Sequence, residues 1–114
     1  MLQIYGTKKC FDTKKAERFC KERGIKYQYI DMKEKGMSVG ELENVIRAVG
    51  GIDNLINPNA KDKQTLMLLQ YMLPEDKLGK LFENQELIKT PVLRNGKKAA
   101  IGYDEEFLKS ELMQ

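Results

Sequence analysis

The chain has 114 residues, 41% hydrophobic and 32% charged, with a net charge of +3. That is the length and balance of one soluble globular domain, and no apolar run approaches the ~18 residues that a membrane span requires. With no histidine and two cysteines, Cys-His and Ser-His-Asp nucleophile systems are excluded, as is a four-ligand Cys/His zinc site, so no metal is expected.

The start, Met-Leu-Gln-Ile-Tyr-Gly, carries no basic leader followed by an apolar stretch, which predicts a cytoplasmic protein. Two cysteines there do not make a disulfide scaffold. Between Lys8 and Lys26 eight basic residues face three acidic ones. Without aromatic interleaving or an Arg-rich character, such a stretch reads as a solvated helix face and not as a nucleic-acid surface.

Leu2-Gln3-Ile4-Tyr5 predicts a first strand. Asp12 or Thr13 can cap a helix running to about Glu22, with Ala16, Phe19 and Cys20 at helical spacing and Gly24 as its stop. Tyr27-Gln28-Tyr29-Ile30-Asp31 reads as a second strand, parallel to the first, so the opening is a βαβ unit. Ser38 and Glu41 form a capping-box pattern ahead of Leu42, Val45, Ile46 and Val49, a helix ending at Gly50-Gly51. After a loop at Asn57-Pro58-Asn59, Lys63 to Leu73 has the apolar density of a packed helix, with Met67 and Met72 expected in the core. Pro74 opens another helix through Leu78, Leu81 and Phe82. Pro91-Val92-Leu93-Arg94 and Lys97 to Ile101 read as a strand pair joined through Asn95-Gly96, followed by a helix from Asp104 that buries Phe107, Leu108 and Leu112. The order predicts an α/β, thioredoxin-like arrangement: one domain over residues 1–114, a four-stranded mixed sheet flanked by helices, and a helical insert over about 38–88.

Cys10 stands where the first strand gives way to the first helix. Free N–H groups and the positive end of the helix dipole favour a thiolate there, and the thiolate is the form that attacks disulfides and oxyanions. Phe11-Asp12-Thr13 follows, so Cys-x-x-Thr replaces Cys-x-x-Cys. Thr13 cannot resolve a disulfide, but its hydroxyl can donate to the Cys10 sulfur while helping to cap the helix. Cys20 falls on the buried stripe, two to three turns away, too far for a disulfide with Cys10. Lys9 and Lys14 are candidates to attract an anionic partner as point charges. Thr90-Pro91 opens the third strand, either as a plain trans start or as a cis bond presenting the Thr90 backbone to a bound thiol.

Taken together, Tyr5-Gly6-x-x-x-Cys10, Lys14-Lys15-Ala16, Gly51 to Asn57, Leu87-Ile88-x-x-Pro91 and Gly102-Tyr103 resemble the ArsC/Spx family over essentially the whole chain. The resemblance implies a thioredoxin-like fold with an inserted helical subdomain, and it matches Pro91 to a proline that is cis across such folds. In the arsenate reductases of the family the cysteine matching Cys10 attacks arsenate, arginines hold the oxyanion, and glutathione with glutaredoxin removes the product. Here Asn59 and Thr90 stand at two of the arginine positions and Ala100-Ile101-Gly102 at the third. Asn and Thr cannot hold an oxyanion as bidentate guanidinium groups do, which argues against efficient arsenate reduction. The resulting expectation is a glutathione-linked thiol oxidoreductase with Cys10 as nucleophile, assisted by Thr13, Lys9, Lys14, Thr90 and Pro91. It would bind no cofactor, and its partner would be glutathione, a similar small thiol or a protein thiol. The Spx branch implies the alternative, a regulator that binds the RNA polymerase alpha subunit, with Gly51 matching a glycine of that branch's binding region and Thr13 replacing its second switch cysteine.

Overall fold

The computed structural model describes residues 1–113. Its sheet has the order β2-β1-β3-β4, built from β1 (Leu2–Gly6), β2 (Tyr27–Asp31), β3 (Val92–Asn95) and β4 (Lys98–Ile101). β1 and β2 are parallel, while β1 with β3 and β3 with β4 are antiparallel. This is the mixed four-stranded sheet predicted, and its topology follows from which strands are apolar on both faces. Leu2, Ile4 and Tyr5 in β1 and Val92 and Leu93 in β3 are fully buried, so these two strands take the centre.

Period-two alternation then sends side chains into two separate cores. Leu2, Ile4 and Leu93 pack with Ala16, Phe19 and Cys20 of α1 (Phe11–Glu22) and Leu108 of α5 (Glu105–Ser110). Tyr5 and Val92 face the other way, onto Leu42 and Val45 of α2 (Val39–Ala48), Leu69 of α3 (Lys63–Tyr71) and Leu81 of α4 (Pro74–Glu83). Each buried leucine or isoleucine contributes roughly 1.5 to 3 kcal/mol of hydrophobic stabilisation, which is why both layers hold against a single sheet.

The Ser38–Glu41 capping box is present in both directions, at 3.2 Å and 2.9 Å, and Pro74 occupies the first turn of α4. Four details differ from the sequence reading. α1 begins earlier than Asp12 or Thr13 would place it, with Cys10 itself as N-cap in extended conformation. α3 stops at Tyr71, and Met67 and Leu73 are exposed instead of buried, because a nine-residue helix against one core buries a narrow stripe, here Thr65 and Leu69. Leu112 is exposed as well. The β3–β4 loop is Gly96-Lys97, since Asn95 pairs with Lys98; Gly96 alone there has positive φ, as the first position of a II′ turn requires. Among the described residues no helix is long and apolar enough to cross a membrane.

Candidate functional site

The site forms where the β1–α1 turn meets the segment entering β3. Gly6 closes β1, and Cys10 donates its N–H to the Thr7 carbonyl at 3.2 Å while its own carbonyl accepts from Lys14 N–H at 3.2 Å. These bonds fix Cys10 at the first turn of α1, its side chain only partly buried. Its sulfur lies 3.5 Å from the carbonyl oxygen of Thr90. The Thr90–Pro91 bond is cis, the alternative that the resemblance implied.

Thr13 is 1% exposed, and its hydroxyl has no hydrogen-bond partner. It sits against Gly6 so closely that a Cβ on Gly6 would overlap its Cγ2 and Oγ1. Gly6 is therefore a requirement of the site: only hydrogen at this position lets the Thr13 side chain reach the end of the strand. The sequence holds the signal in Tyr-Gly ahead of the cysteine, but the contact is legible only in the fold. Partial burial raises the Cys10 pKa. The hydroxyls of Thr13 and Thr90 and the backbone N–H groups of Thr13 and Asp12 act against it, and the net result is a thiol pKa below its ordinary value. The Thr13 hydroxyl thus makes no bond within hydrogen-bonding distance of the neutral thiol, yet it is placed to donate once the sulfur carries charge.

Cys20 is its opposite. Fully buried in the core under α1, it is pushed up to about 11 by burial, with Glu111 and Glu17 adding to the effect. Ten residues of helix separate it from Cys10, about 15 Å of rise, and both cysteines are free.

A groove of about 680 Å³ opens beside Cys10. Three distant segments line it with Cys10 and Asp12: Asn54, Asn57, Pro58 and Asn59 from one, Lys89 and Thr90 from a second, and Ile101 and Gly102 from a third. Two backbone bonds clamp the first two segments together: Asn57 N–H to Leu87 O at 2.8 Å and Lys89 N–H to Leu55 O at 2.7 Å. Gly102 N–H donates to Pro91 O at 2.7 Å and brings the end of β4 to the same place. The three segments in which the resemblance expects arginines do converge on Cys10, and among the described residues none of the groove lining is arginine. Lys9 and Lys14 are exposed and line no part of the groove. Lys15, next to Lys14, lies over the Tyr103 ring, 4.7 Å from its centroid. The basic side chain in the groove is Lys89, which the sequence reading passed over, as it did Asn54. Among the described residues no cluster of three or more His, Cys, Asp or Glu side chains could hold a metal.

Fold and site define a thioredoxin-like protein with one partly exposed cysteine at the N-terminus of its first helix. The chain belongs to the ArsC family, whose family model matches residues 5–110. It is similar to the global transcriptional regulator Spx 2 of Oceanobacillus iheyensis, 32% identical over 113 residues that cover 97% of this chain and 83% of that protein. A protein of Staphylococcus aureus COL solved in solution is 30% identical, with a TM-score of 0.77 over 96% of this chain and 97% of that one. The arsenate reductase of Vibrio cholerae shares the fold, with a TM-score of 0.81, 22% identity and coverage of 96% and 95%.

Proposed function

We propose that this protein is a cytoplasmic thiol oxidoreductase in which Cys10 is the nucleophile of mixed-disulfide exchange. The observation that carries the reading is the placement of the Cys10 sulfur: at the N-cap of α1, 3.5 Å from Thr90 O, at the wall of an open groove, with its pKa drawn down. Thr13 donates to the thiolate, Thr90 and Pro91 shape the wall against which the partner sulfur lies, and Lys9 and Lys14 favour the approach of an anionic partner as solvated charges. Cys10 works without a resolving cysteine, so a second thiol, glutathione or one of its kind, releases it from the mixed disulfide, and no bound cofactor takes part. With Asn59, Thr90 and the Ile101–Gly102 segment in place of arginines, a carbon-bound sulfur is a better partner for the groove than arsenate.

Incubation with glutathione disulfide followed by peptide mapping tests the reading. One glutathione per chain, on Cys10, is the expected result, lost in Cys10→Ser and retained in Cys20→Ala. Equal labelling of both cysteines, or of neither, overturns it.

The 32% identity to a transcriptional regulator favours a second reading, a regulator that binds the RNA polymerase alpha subunit. Gly51, at φ 141° with open space beside its Cα, would lie at that contact. Capture of the alpha subunit by Cys10→Ser protein as tightly as by the wild type would support this reading against the first.

A further inference from the structure

Asn57 and Thr90 of the Cys10 groove also line a second depression of about 560 Å³, walled by the 32–36 turn after β2 and by the segment that follows α4. The two depressions are neighbours that share these residues as a common wall, here called the two arms, and Cys10 lines the first.

The second arm is a built wall. The Asp31 carbonyl accepts N–H bonds from Glu34, Lys35 and Gly36, and Asp31 Oδ1 accepts from Lys33 N–H at 2.8 Å. Gln85 then pins the turn to the segment after α4: its Oε1 accepts from Met37 N–H at 2.7 Å and its Nε2 donates to Met37 O at 2.9 Å. Gly36, at φ 68°, backs directly onto that amide, where a Cβ would come within 2.6 Å of Gln85 Oε1. Partly buried Met32 and Phe82 with buried Ile88 give this arm apolar surface, and Lys33 and Lys35 alternate with Glu34, Glu83 and Glu86 around it.

The first arm has a different chemistry. Asn54 uses its Nδ2 on Val49 O, and Asn57 uses its Oδ1 on Asn59 N–H. That leaves an Asn54 carbonyl, an Asn57 amino group and the whole Asn59 amide to face a ligand, beside the Asp12 carboxylate and the Lys89 ammonium of the same lining. Amide donors and acceptors side by side match a peptide main chain, whereas a compact anion is held by converging cations. A tripeptide extends roughly 10 Å, so a ligand that touches both arms at once is a longer one.

From this shared wall and the amide lining, and resting on the reading of Cys10 as an exchange nucleophile, we infer that the sulfur Cys10 attacks is carried by an extended polypeptide segment. Its main chain lies along the amide-lined arm, and an apolar side chain enters the Met32–Phe82–Ile88 arm. In the exchange step the Cys10 thiolate bonds to the segment's cysteine sulfur as the segment's own S–S bond breaks. The departing sulfur leaves as a thiolate and takes a proton from water. A second, low-molecular-weight thiolate then attacks the mixed disulfide and restores Cys10, with no net change in the number of S–S bonds at either step.

The test compares second-order exchange rates of the full chain with glutathione disulfide and with nested peptides of about three, six and nine residues, each carrying a central cysteine as a mixed disulfide with the same aromatic thiol. The rate is expected to rise about tenfold or more from the shortest to the longest peptide. Glu86→Trp, a bulky change at an exposed position of the second arm, is expected to cut the advantage of the longest peptide roughly threefold or more. Rates independent of length, with Cys10 still reacting, overturn the two-arm assignment and leave Cys10 as a nucleophile for small disulfides. Failure of Cys10 to react with any of these disulfides removes the underlying reading as well.

Discussion

The sulfur of Cys10 and the carbonyl oxygen of Thr90 stand 3.5 Å apart although 80 positions separate them in the chain. The sheet register brings them together. Tyr5 pairs with Val92 across β1 and β3, so the turn that leaves β1 and the segment that enters β3 emerge at the same end of the sheet. A shift of one residue in that pairing would reverse which side chains face each core and would separate the sulfur from Thr90.

Because Gly6 is the floor on which Thr13 rests, Gly6→Ala is expected to destabilise the fold by about 1 to 3 kcal/mol, the range for overpacking a buried contact. Adding Thr13→Ala should recover much of that loss by making room for the new methyl. Denaturant unfolding of both single variants and the double variant measures the coupling, and strict additivity would show that the two residues do not share the contact.

Thr13→Val separates stability from reactivity. The hydroxyl is buried and unpartnered, so its replacement by a methyl is expected to leave the fold as stable or more stable by about 1 kcal/mol. The same change removes a donor to the thiolate and should move the Cys10 pKa up. Unfolding and alkylation measured on one preparation would show the two effects in opposite directions.

Much of this architecture is legible in the sequence, for physical reasons that can be named. The apolar Leu2, Ile4 and Tyr5, the Ser38–Glu41 box and Pro74 are local signals, each acting within a few residues, and each element they mark is present. Cys10 is legible as a thiol at a helix start because the strand, the lysines and the helix periodicity bracket it. Contacts between distant segments are not written locally. Nothing near Lys89 marks it as part of the groove; the pairing of the 55–57 and 87–89 segments puts it there. Met67 reads as core by composition and is exposed, because burial depends on which face of α3 meets the neighbouring helices.

Alkaline pH should destabilise the protein. Cys20 is raised to about 11, and Tyr5 and Tyr27 are raised strongly, in each case chiefly by burial. The unfolded chain releases these protons nearer the ordinary thiol and phenol values of about 8.5 and 10, so above those values the unfolded state binds fewer protons and stability falls as pH rises. Cys10 acts in the opposite sense. Its folded pKa is depressed, so its contribution is present above the ordinary thiol value and is lost as pH falls through the folded one. Unfolding free energies should therefore decline from about pH 9 upward, and Tyr5→Phe should shallow the slope beyond pH 10.

Tyr5→Phe has its own cost near neutrality. The Tyr5 hydroxyl lies 2.7 Å from Glu41 Oε2, to which it donates, and Arg94 Nη1 stands 3.8 Å from the same carboxylate oxygen. Loss of the donor inside this partly buried group is expected to cost about 1 to 3 kcal/mol, read as a lower denaturant midpoint with an unchanged m-value.

Arsenate should protect Cys10 of the wild type poorly against alkylation. Asn59→Arg combined with Thr90→Arg places two guanidinium groups in segments that line the Cys10 groove, and protection by arsenate is expected to improve about tenfold or more through bidentate hydrogen bonds. Equal protection in both proteins would show that the arginine positions do not govern anion binding here.

The most direct test of the central claim is the pH dependence of iodoacetamide alkylation, read separately for Cys10 and Cys20 by peptide mass spectrometry. Cys10 is expected to titrate below the ordinary value of a free thiol and to react while Cys20 stays protected in the folded chain. A Cys10 that titrates at or above the value of a free thiol, or reacts as slowly as Cys20, would contradict the assignment of Cys10 as the nucleophile.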